Sequence, residues 1–205
     1  MRRLCLGGSF NPVHHGHLIC ARAVAEAAGF DRVVLIPSGL PPHKPAAPDL
    51  AAAEHRLEMC RLAAACQSDL FEVSDVEIVR PGQSYTIDTV RLLKSQGWPQ
   101  VHWLIGADML QILPQWHQAE ALLREASLVI MARPGWKIDF DALPAPFREL
   151  RHNVVEAPML DISASDIRRR LAMGRSIRFL VPEPVERYIA ARGLYRQSHC
   201  CPPQP

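Results

Sequence analysis

The feature that most constrains the fold is a regular alternation of short apolar runs with helical patterns. Leu4-Cys5-Leu6 is followed by a helical pattern from about 16 to 28 and then by Val33-Val34-Leu35-Ile36, the order of a βαβ unit. The runs at 101–105 and 128–131 are continuously apolar, which is typical of parallel strands covered on both faces. The pattern predicts an α/β fold with a doubly wound parallel sheet, which binds ligands at the carboxyl ends of its strands.

The remaining elements follow from the same periodicities. We expect helices at about 50–66 and 115–124, another that begins near Thr86, and strands at 70–78 and 154–156. The last part of the chain is helical, because Ser163 opens an S-x-x-D helix start and Pro182 begins a second helical pattern. The sequence therefore predicts a sheet followed by a small C-terminal helical part.

Composition and charge narrow the class of protein. Of the 205 residues, 48% are hydrophobic and 21% charged, which is typical of a globular protein with a core of its own. We expect one domain over 1–197 and a disordered, proline-rich tail at 198–205. A net charge of +2 is too small for a protein that binds nucleic acid or a membrane surface through a basic field. The six cysteines form no CxxC pair, and no apolar stretch could span a bilayer, so we expect reduced thiols and a cytoplasmic protein.

The strongest functional signal follows the first strand directly. Gly7-Gly8-Ser9-Phe10-Asn11-Pro12 leads into His14-His15-Gly16-His17 at the start of a helix. Free N–H groups and the positive end of the helix dipole favour an anion there, and two histidines three residues apart can both reach it. We interpret His14 and His17 as a phosphate clamp. Two alternatives remain: Gly7-Gly8 is an ordinary strand-ending turn, or the histidines bind zinc, which would need a further ligand.

Two motifs together resemble a known superfamily. The segment 7–18 resembles the HxGH motif of the nucleotidyltransferases, and the segment 162–168 resembles their second signature, ISSTxIR. Weaker matches lie between them and resemble the family of bacterial nicotinate mononucleotide adenylyltransferases: Pro41-Pro42-His43-Lys44, Ser84-Tyr85-Thr86-Ile87-Asp88-Thr89, Gly106-Ala107-Asp108, Trp116 and Arg133-Pro134-Gly135. The resemblance implies a Rossmann-like nucleotidyltransferase fold and covers nearly the whole chain.

The resemblance also implies a reaction. Members of that family transfer AMP from ATP to nicotinate mononucleotide, giving nicotinate adenine dinucleotide and pyrophosphate in NAD biosynthesis. Direct attack on the α-phosphorus needs alignment and charge neutralisation but no covalent enzyme intermediate. Mg²⁺ is the expected cofactor, held through substrate phosphates without a protein metal site. ATP and the pyridine nucleotide are the expected partners, whereas the sequence leaves the oligomeric state open, a homo-oligomer included.

Site residues carry over position by position. The catalytic residues implied by the resemblance are His14, His17 and Arg168. The residues implied to bind ATP are Gly7, Gly8, Ser9, Phe10, His14, His17, Gly106, Asp108, Ile162, Ser163, Ser165 and Arg168. Those implied to bind the pyridine nucleotide are Asn11, Lys44, Tyr85, Thr86, Trp116 and Arg133.

Several of these interpretations have competitors. Trp116 could be a core residue, Asp108 could form a salt bridge, and Lys44 could be a solvated loop charge. Ala164 and Ser165 depart from the ISSTxIR pattern, and Asn11 stands where many relatives have Asp. Other functions also compete: a transferase for phosphopantetheine or nicotinamide mononucleotide, or a nucleotide sensor that turns nothing over. A tRNA synthetase would need an anticodon-binding domain that this length cannot hold.

Overall fold

The protein is built on a six-stranded parallel sheet. The computed structural model describes residues 1–42, 49–135 and 138–196. Neighbouring strands follow the order β3-β2-β1-β4-β5-β6, and every pair is parallel. The six strands are β1 (Arg3–Gly8), β2 (Arg32–Pro37), β3 (Phe71–Val73), β4 (His102–Gly106), β5 (Ser127–Ala132) and β6 (Val154–Glu156). The predicted α/β class and parallel sheet are therefore confirmed.

Helices connect the strands and complete the C-terminal part. The α-helices are α1 (His15–Ala28), α2 (Ala53–Ala65), α3 (Val76–Val79), α4 (Thr86–Ser95), α5 (Ala119–Glu125), α6 (Ala145–Arg148), α7 (Ala164–Ala172) and α8 (Glu183–Arg192). Three short 3-10 helices are Ala107–Met109, Leu113–Gln115 and Glu149–Asn153. The predicted C-terminal helical part is α7 and α8. No helix in the described ranges is long and apolar enough to cross a membrane.

Two boundaries differ from the sequence prediction. The strand expected at 70–78 ends at Val73. Ser74 makes the last backbone hydrogen bond to β2, and the Asp75 carbonyl then accepts from N–H groups of the helical turn α3. The helix expected at 115–124 begins only at Ala119. Gln118 has φ 50°, a left-handed conformation that a helix cannot contain, so Trp116 lies in the preceding loop.

Each face of the sheet is covered by its own hydrophobic cluster. One cluster joins β1 and β2 to α1, α2 and α8, with Leu4, Leu35 and Met59 fully buried. The other joins the opposite face to α4 and α5, with Ile36 and Leu122 at its centre. Alternate residues of β1 and β2 point into different clusters, which explains why these strands read as continuous apolar runs.

The sheet reverses its winding between β1 and β4. From β1 the chain adds β2 and β3 on one side, then returns to place β4 against the other side of β1, where Leu4 pairs with His102. The loops that follow β1 and β4 therefore diverge to opposite faces. In open parallel sheets such a switch point leaves a crevice at the carboxyl ends of the strands, where ligands bind.

Candidate active site

The turn after β1 is held in an unusual backbone conformation. Phe10 has φ 46°, yet its side chain is 2% exposed. Its ring meets the His17 ring edge-on, with 5.1 Å between centroids. The burial of the Phe10 ring offsets the cost of a left-handed backbone at a residue other than glycine. The turn thus aims the chain into α1 and supports one of the two predicted clamp histidines.

His14 and His17 lie together at the start of α1, as the sequence predicted. Their rings stack with 3.7 Å between centroids. The backbone N–H of His14 donates to Nδ1 of His17 at 3.3 Å. An Nδ1 that accepts carries no proton, so the neutral His17 ring has its proton on Nε2 and can donate it to an anion. Nδ1 of His14 has no hydrogen-bond partner in the described part of the chain.

Both histidines are neutral in this arrangement. Burial, and then the charge of His15, lowers the pKa of His14 to about 4. Burial and then His14 hold the pKa of His17 well below its ordinary value. Neutral rings can still donate hydrogen bonds, and a bound polyphosphate would favour their protonation because it supplies the missing countercharge. A phosphate at this position would therefore be held by hydrogen bonds first.

The second motif meets the first across the crevice. Ser163 caps α7, since its Oγ accepts from the Asp166 N–H at 3.1 Å. A Cβ added at Gly16 would lie 3.3 Å from the Ile162 carbonyl oxygen, which is tighter than ordinary contact. Gly16 therefore lets the segment before α7 approach α1 closely. The two helix starts that the sequence predicted to face one triphosphate lie side by side.

Arg168 points from α7 toward the turn after β1. Its Nη1 donates to the Asn11 carbonyl at 2.9 Å, and its Nε donates to Oδ2 of Asp49 at 2.7 Å. A longer contact of 3.4 Å joins Nη2 to the Ser165 hydroxyl. The side chain of Arg168 is 17% exposed. Arg168 and Ser165, which the resemblance assigns to the same phosphates, lie close together, and the guanidinium reaches the turn between β1 and α1.

A cleft of about 760 Å³ opens between the carboxyl ends of β1 and β4. It runs from the turn after β1 to the start of α4 and the loop before α5. Its walls include nine predicted or newly found residues: Gly7, Gly8, Ser9, Tyr85, Thr86, Trp103, Gly106, Trp116 and His117. The structure thus brings part of the predicted ATP set and the aromatic part of the predicted pyridine set into one cavity.

The far end of this cleft is aromatic and contains amide donors that no hydrogen bond within α4 uses. Tyr85 stacks on His117 with 4.2 Å between ring centroids. The first N–H groups of α4, from Thr86 and Ile87, have no partner within the helix, and Tyr85 does not cap them with its side chain. Nε1 of Trp116 lacks a hydrogen-bond partner among the residues the structure covers. A flat ring with a small anionic group fits such a surface.

Glycine at two cleft positions is explained by packing. A Cβ at Gly7 would overlap Cζ2 of the buried Trp103 ring, and a Cβ at Gly106 would overlap Oδ1 of Asp108. Asp108 therefore folds back over the end of β4 and is exposed. Gly7 makes room for an aromatic wall of the cleft. This packing is a reason for Gly7 that is separate from the ATP role implied by the resemblance.

Among the residues predicted to bind the pyridine nucleotide, Asn11 and Arg133 are not part of the cleft lining. Asn11 is 7% exposed, and both ends of its amide are bound within the protein. Arg133 follows β5 directly. Burial raises the pKa of Cys20 on α1, and the charge of Arg133 opposes part of that rise. Lys44 lies outside the described residues, as does the predicted tail at 198–205. Their ligand roles stay predictions.

Besides Trp103 and His117 in the cleft wall, sequence reasoning missed three residues that shape the site: Arg56, Asp49 and Tyr195. A signal existed for Arg56, because it shares the apolar face of α2 with Met59 and Cys60. The Arg56 guanidinium donates to the carbonyls of Ser9, Gly39 and Ala51. No local pattern indicates Asp49 or Tyr195, because their partners lie far away in the sequence.

Comparison with known proteins identifies a family and relatives that are similar in sequence over most of the chain. The cytidylyltransferase-like family model covers residues 5–170. A probable nicotinate-nucleotide adenylyltransferase of Roseiflexus sp. (strain RS-1) is 47% identical over 193 residues, which are 93% of this chain and 96% of the relative. A protein of the same description from a Synechococcus strain is 44% identical over 195 residues, 94% of this chain and 96% of the relative.

Solved structures agree on the fold. The nicotinic acid mononucleotide adenylyltransferase of Plasmodium falciparum, complexed with NaAD, superposes with a TM-score of 0.75 at 18% identity, over 95% of this chain and 98% of that one. The similarity in sequence to the bacterial relatives extends well beyond the two motifs. This chain therefore belongs to the cytidylyltransferase-like family and, within it, to the nicotinate-nucleotide adenylyltransferases.

Proposed function

We propose that the protein transfers the adenylyl group of ATP to nicotinate mononucleotide. A phosphate oxygen of the mononucleotide attacks the α-phosphorus of ATP, and the bond from that phosphorus to the bridging oxygen of the β-phosphate breaks. Pyrophosphate leaves with the electron pair, and nicotinate adenine dinucleotide is formed. No protein nucleophile and no covalent intermediate are required.

The observation that carries the proposal is the meeting of two helix starts at one switch point of the sheet. His14 and His17 stand at the start of α1, and Ser163, Ser165 and Arg168 belong to the start of α7. Such an arrangement supports binding of a triphosphate between two helix dipoles. The Nε2 proton of His17 would donate to a phosphate oxygen, where charge grows as the bond to pyrophosphate breaks.

Arg168 and Mg²⁺ would together neutralise the remaining negative charge of the phosphates. The guanidinium would bind the outer phosphates, which become pyrophosphate, and so stabilise the leaving group. Mg²⁺ that is bound together with ATP would withdraw charge from the phosphate oxygens. No group of three or more His, Cys, Asp or Glu side chains within the described ranges could hold a metal ion. A metal that arrives with ATP would have the phosphates as its main ligands.

The far end of the cleft suits the proposed acceptor, nicotinate mononucleotide. The pyridine ring would lie against Trp116 and the Tyr85–His117 stack, and its carboxylate would accept from the N–H groups of Thr86 and Ile87 at the start of α4. A carboxamide has no net charge and offers the helix start less electrostatic gain. We therefore expect nicotinate mononucleotide to be preferred over nicotinamide mononucleotide.

The test is to incubate the purified chain with ATP, Mg²⁺ and either mononucleotide, and to separate the products by chromatography. We expect nicotinate adenine dinucleotide and pyrophosphate in equal amounts, with less product from the amide. A His17→Ala variant should lose about a hundredfold or more of kcat while its fold, followed by circular dichroism, is retained. A chain that binds ATP but forms no dinucleotide from either acceptor would refute the proposal and favour the sensor.

A further inference from the structure

Arg168 is held from two sides by different kinds of acceptor. The Asn11 carbonyl accepts from Nη1 at 2.9 Å, whereas the Asp49 carboxylate accepts from Nε at 2.7 Å. A carbonyl orients a guanidinium without neutralising its charge, while a carboxylate does both. The Asp49 side chain is 51% exposed, so solvent or another anion can compete for it. The contact with Asn11 is the one that can persist when Arg168 binds a phosphate.

Asn11 is fixed by its own side chain. Its Nδ2 donates to the Asp49 carbonyl at 2.8 Å. Its Oδ1 accepts from the Ala51 N–H at 3.0 Å and from the Tyr195 hydroxyl at 2.7 Å. Asn11 is 7% exposed, so these bonds are made largely away from water. One amide therefore joins the turn after β1, the segment 49–51 and the chain that follows α8.

The chemistry of the network requires an amide at position 11. Asn11 donates to one carbonyl and accepts from two donors, which no carboxylate can do while it is ionised. An aspartate would face the Asp49 carbonyl with a second acceptor and leave that carbonyl without its donor. The departure noted in the sequence, Asn11 where many relatives have Asp, thus has a structural reason in this chain. The same bonds occupy both ends of the side chain that the resemblance assigned to the pyridine nucleotide.

We propose that Asn11 and Tyr195 are positioning residues for Arg168: they fix the Asn11 carbonyl that aims the guanidinium at the outer phosphates of ATP. The inference rests on the proposed function, because it gives Arg168 its role there. Tyr195 acts from beyond the end of α8, so residues near the C-terminal end of the described chain influence the binding of ATP. Neither Asn11 nor Tyr195 needs to touch a substrate.

The decisive variant is Tyr195→Phe, which removes one hydroxyl and leaves the ring in place. The matched control is Tyr188→Phe on α8, whose hydroxyl lies 2.9 Å from Nδ1 of His55 and outside the network. We expect Tyr195→Phe to raise KM for ATP about fivefold, the effect of one lost hydrogen bond, with KM for nicotinate mononucleotide unchanged within twofold. Tyr188→Phe should leave both constants unchanged. Equal effects of the two variants would overturn the proposal.

A second arm separates positioning from general loosening of the fold. Asn11→Asp should raise KM for ATP more than tenfold, because it removes the donor to the Asp49 carbonyl as well. In an Arg168→Lys background, which lacks the bidentate fork, Tyr195→Phe should add less than twofold. Thermal unfolding of each variant shows whether it is folded. Multiplicative effects of Tyr195→Phe and Arg168→Lys would contradict action through Arg168, even if both variants fold normally.

Failure of the proposed function gives a different result. A wild-type chain that binds ATP but forms no dinucleotide refutes the transferase, and the same variants are then compared by the Kd for ATP, measured by calorimetry. Tyr195→Phe should weaken that Kd about fivefold, and an unchanged Kd would overturn the positioning role on its own. A wild-type chain that does not bind ATP would overturn both.

Discussion

Arg56 offers the sharpest test of how the loops at the switch point are held. Its side chain is 1% exposed, and it donates to three backbone carbonyls, those of Ala51, Ser9 and Gly39, at 2.9, 2.8 and 2.9 Å. No carboxylate lies within salt-bridge distance of it in the described ranges. The guanidinium therefore acts as a fork that ties together the turns after β1 and β2 and the start of α2.

The expected loss in the free energy of unfolding follows from the carbonyl groups that lose their donor. Arg56→Met keeps the apolar stem but leaves three carbonyl acceptors without a donor, at about 1–3 kcal/mol each if water does not reach them. Partial rehydration of these carbonyls reduces the sum, and we expect a loss of about 3–5 kcal/mol. For a chain of this size, that loss lowers Tm by roughly 6–20 °C.

Arg61→Met on the same helix is the matched control. Arg61 is exposed, and its one ion pair, to Asp75 at 3.4 Å, is of the surface type worth about 0–1 kcal/mol. Urea unfolding followed by tryptophan fluorescence gives the free energy of unfolding of both variants, and calorimetry gives Tm. If Arg56→Met and Arg61→Met differ by less than about 1 kcal/mol, the buried fork does not hold these loops and the reasoning fails.

Three further predictions concern the clamp, the acceptor and the cleft wall. The pKa of His14 is about 4 when folded and higher when unfolded, so the unfolded chain binds the extra proton and His14 contributes a loss of roughly 3 kcal/mol of stability as pH drops from about 6.5 to 4; urea titrations across this range should show the slope, and His14→Gln should reduce it but leave the part that His17 contributes. Trp116→Ala should raise KM for nicotinate mononucleotide about tenfold with little change in KM for ATP, as loss of an aromatic contact does; a change confined to ATP would put the ring on the other substrate. Gly7→Ala should cost about 1–3 kcal/mol of unfolding free energy, because its Cβ overlaps the Trp103 ring; calorimetry that finds Gly7→Ala as stable as wild type would contradict the packing role.

The regular parts of the fold could be predicted from sequence because their signals are local. The strands β1, β2, β4 and β5 are apolar runs, and the start of α7 follows from a serine cap whose hydrogen bond is present. The motif residues His14, His17 and Arg168 were expected on the same ligand, and they lie at neighbouring helix starts. These predictions depended only on residues close together in the chain or on a shared motif.

The rest depended on tertiary structure. The left-handed Gln118 delays α5 and leaves Trp116 in a loop, and nothing in the residue type requires that conformation. The hydrogen bond between Tyr195 and Asn11 joins positions at opposite ends of the chain, and no periodic pattern in the sequence indicates it. Polar partners of this kind are fixed by the packing of the elements that carry them, so they emerge only once the sheet and its helices are assembled.

The central place of β1 has a consequence for biosynthesis. Of the six strands, β1 is made first and leads into His14 and His17, yet its neighbour β4 pairs with it through His102, and the proposed phosphate site also needs Ser163 and Arg168. Under the proposed function, a chain that has been made only as far as β5 therefore lacks part of the nucleotide site, and such long-range pairings form late. ATP would favour the folded state only after α7 has been made, so it would stabilise molecules that are already folded and would not guide the pairing of β1 with β4.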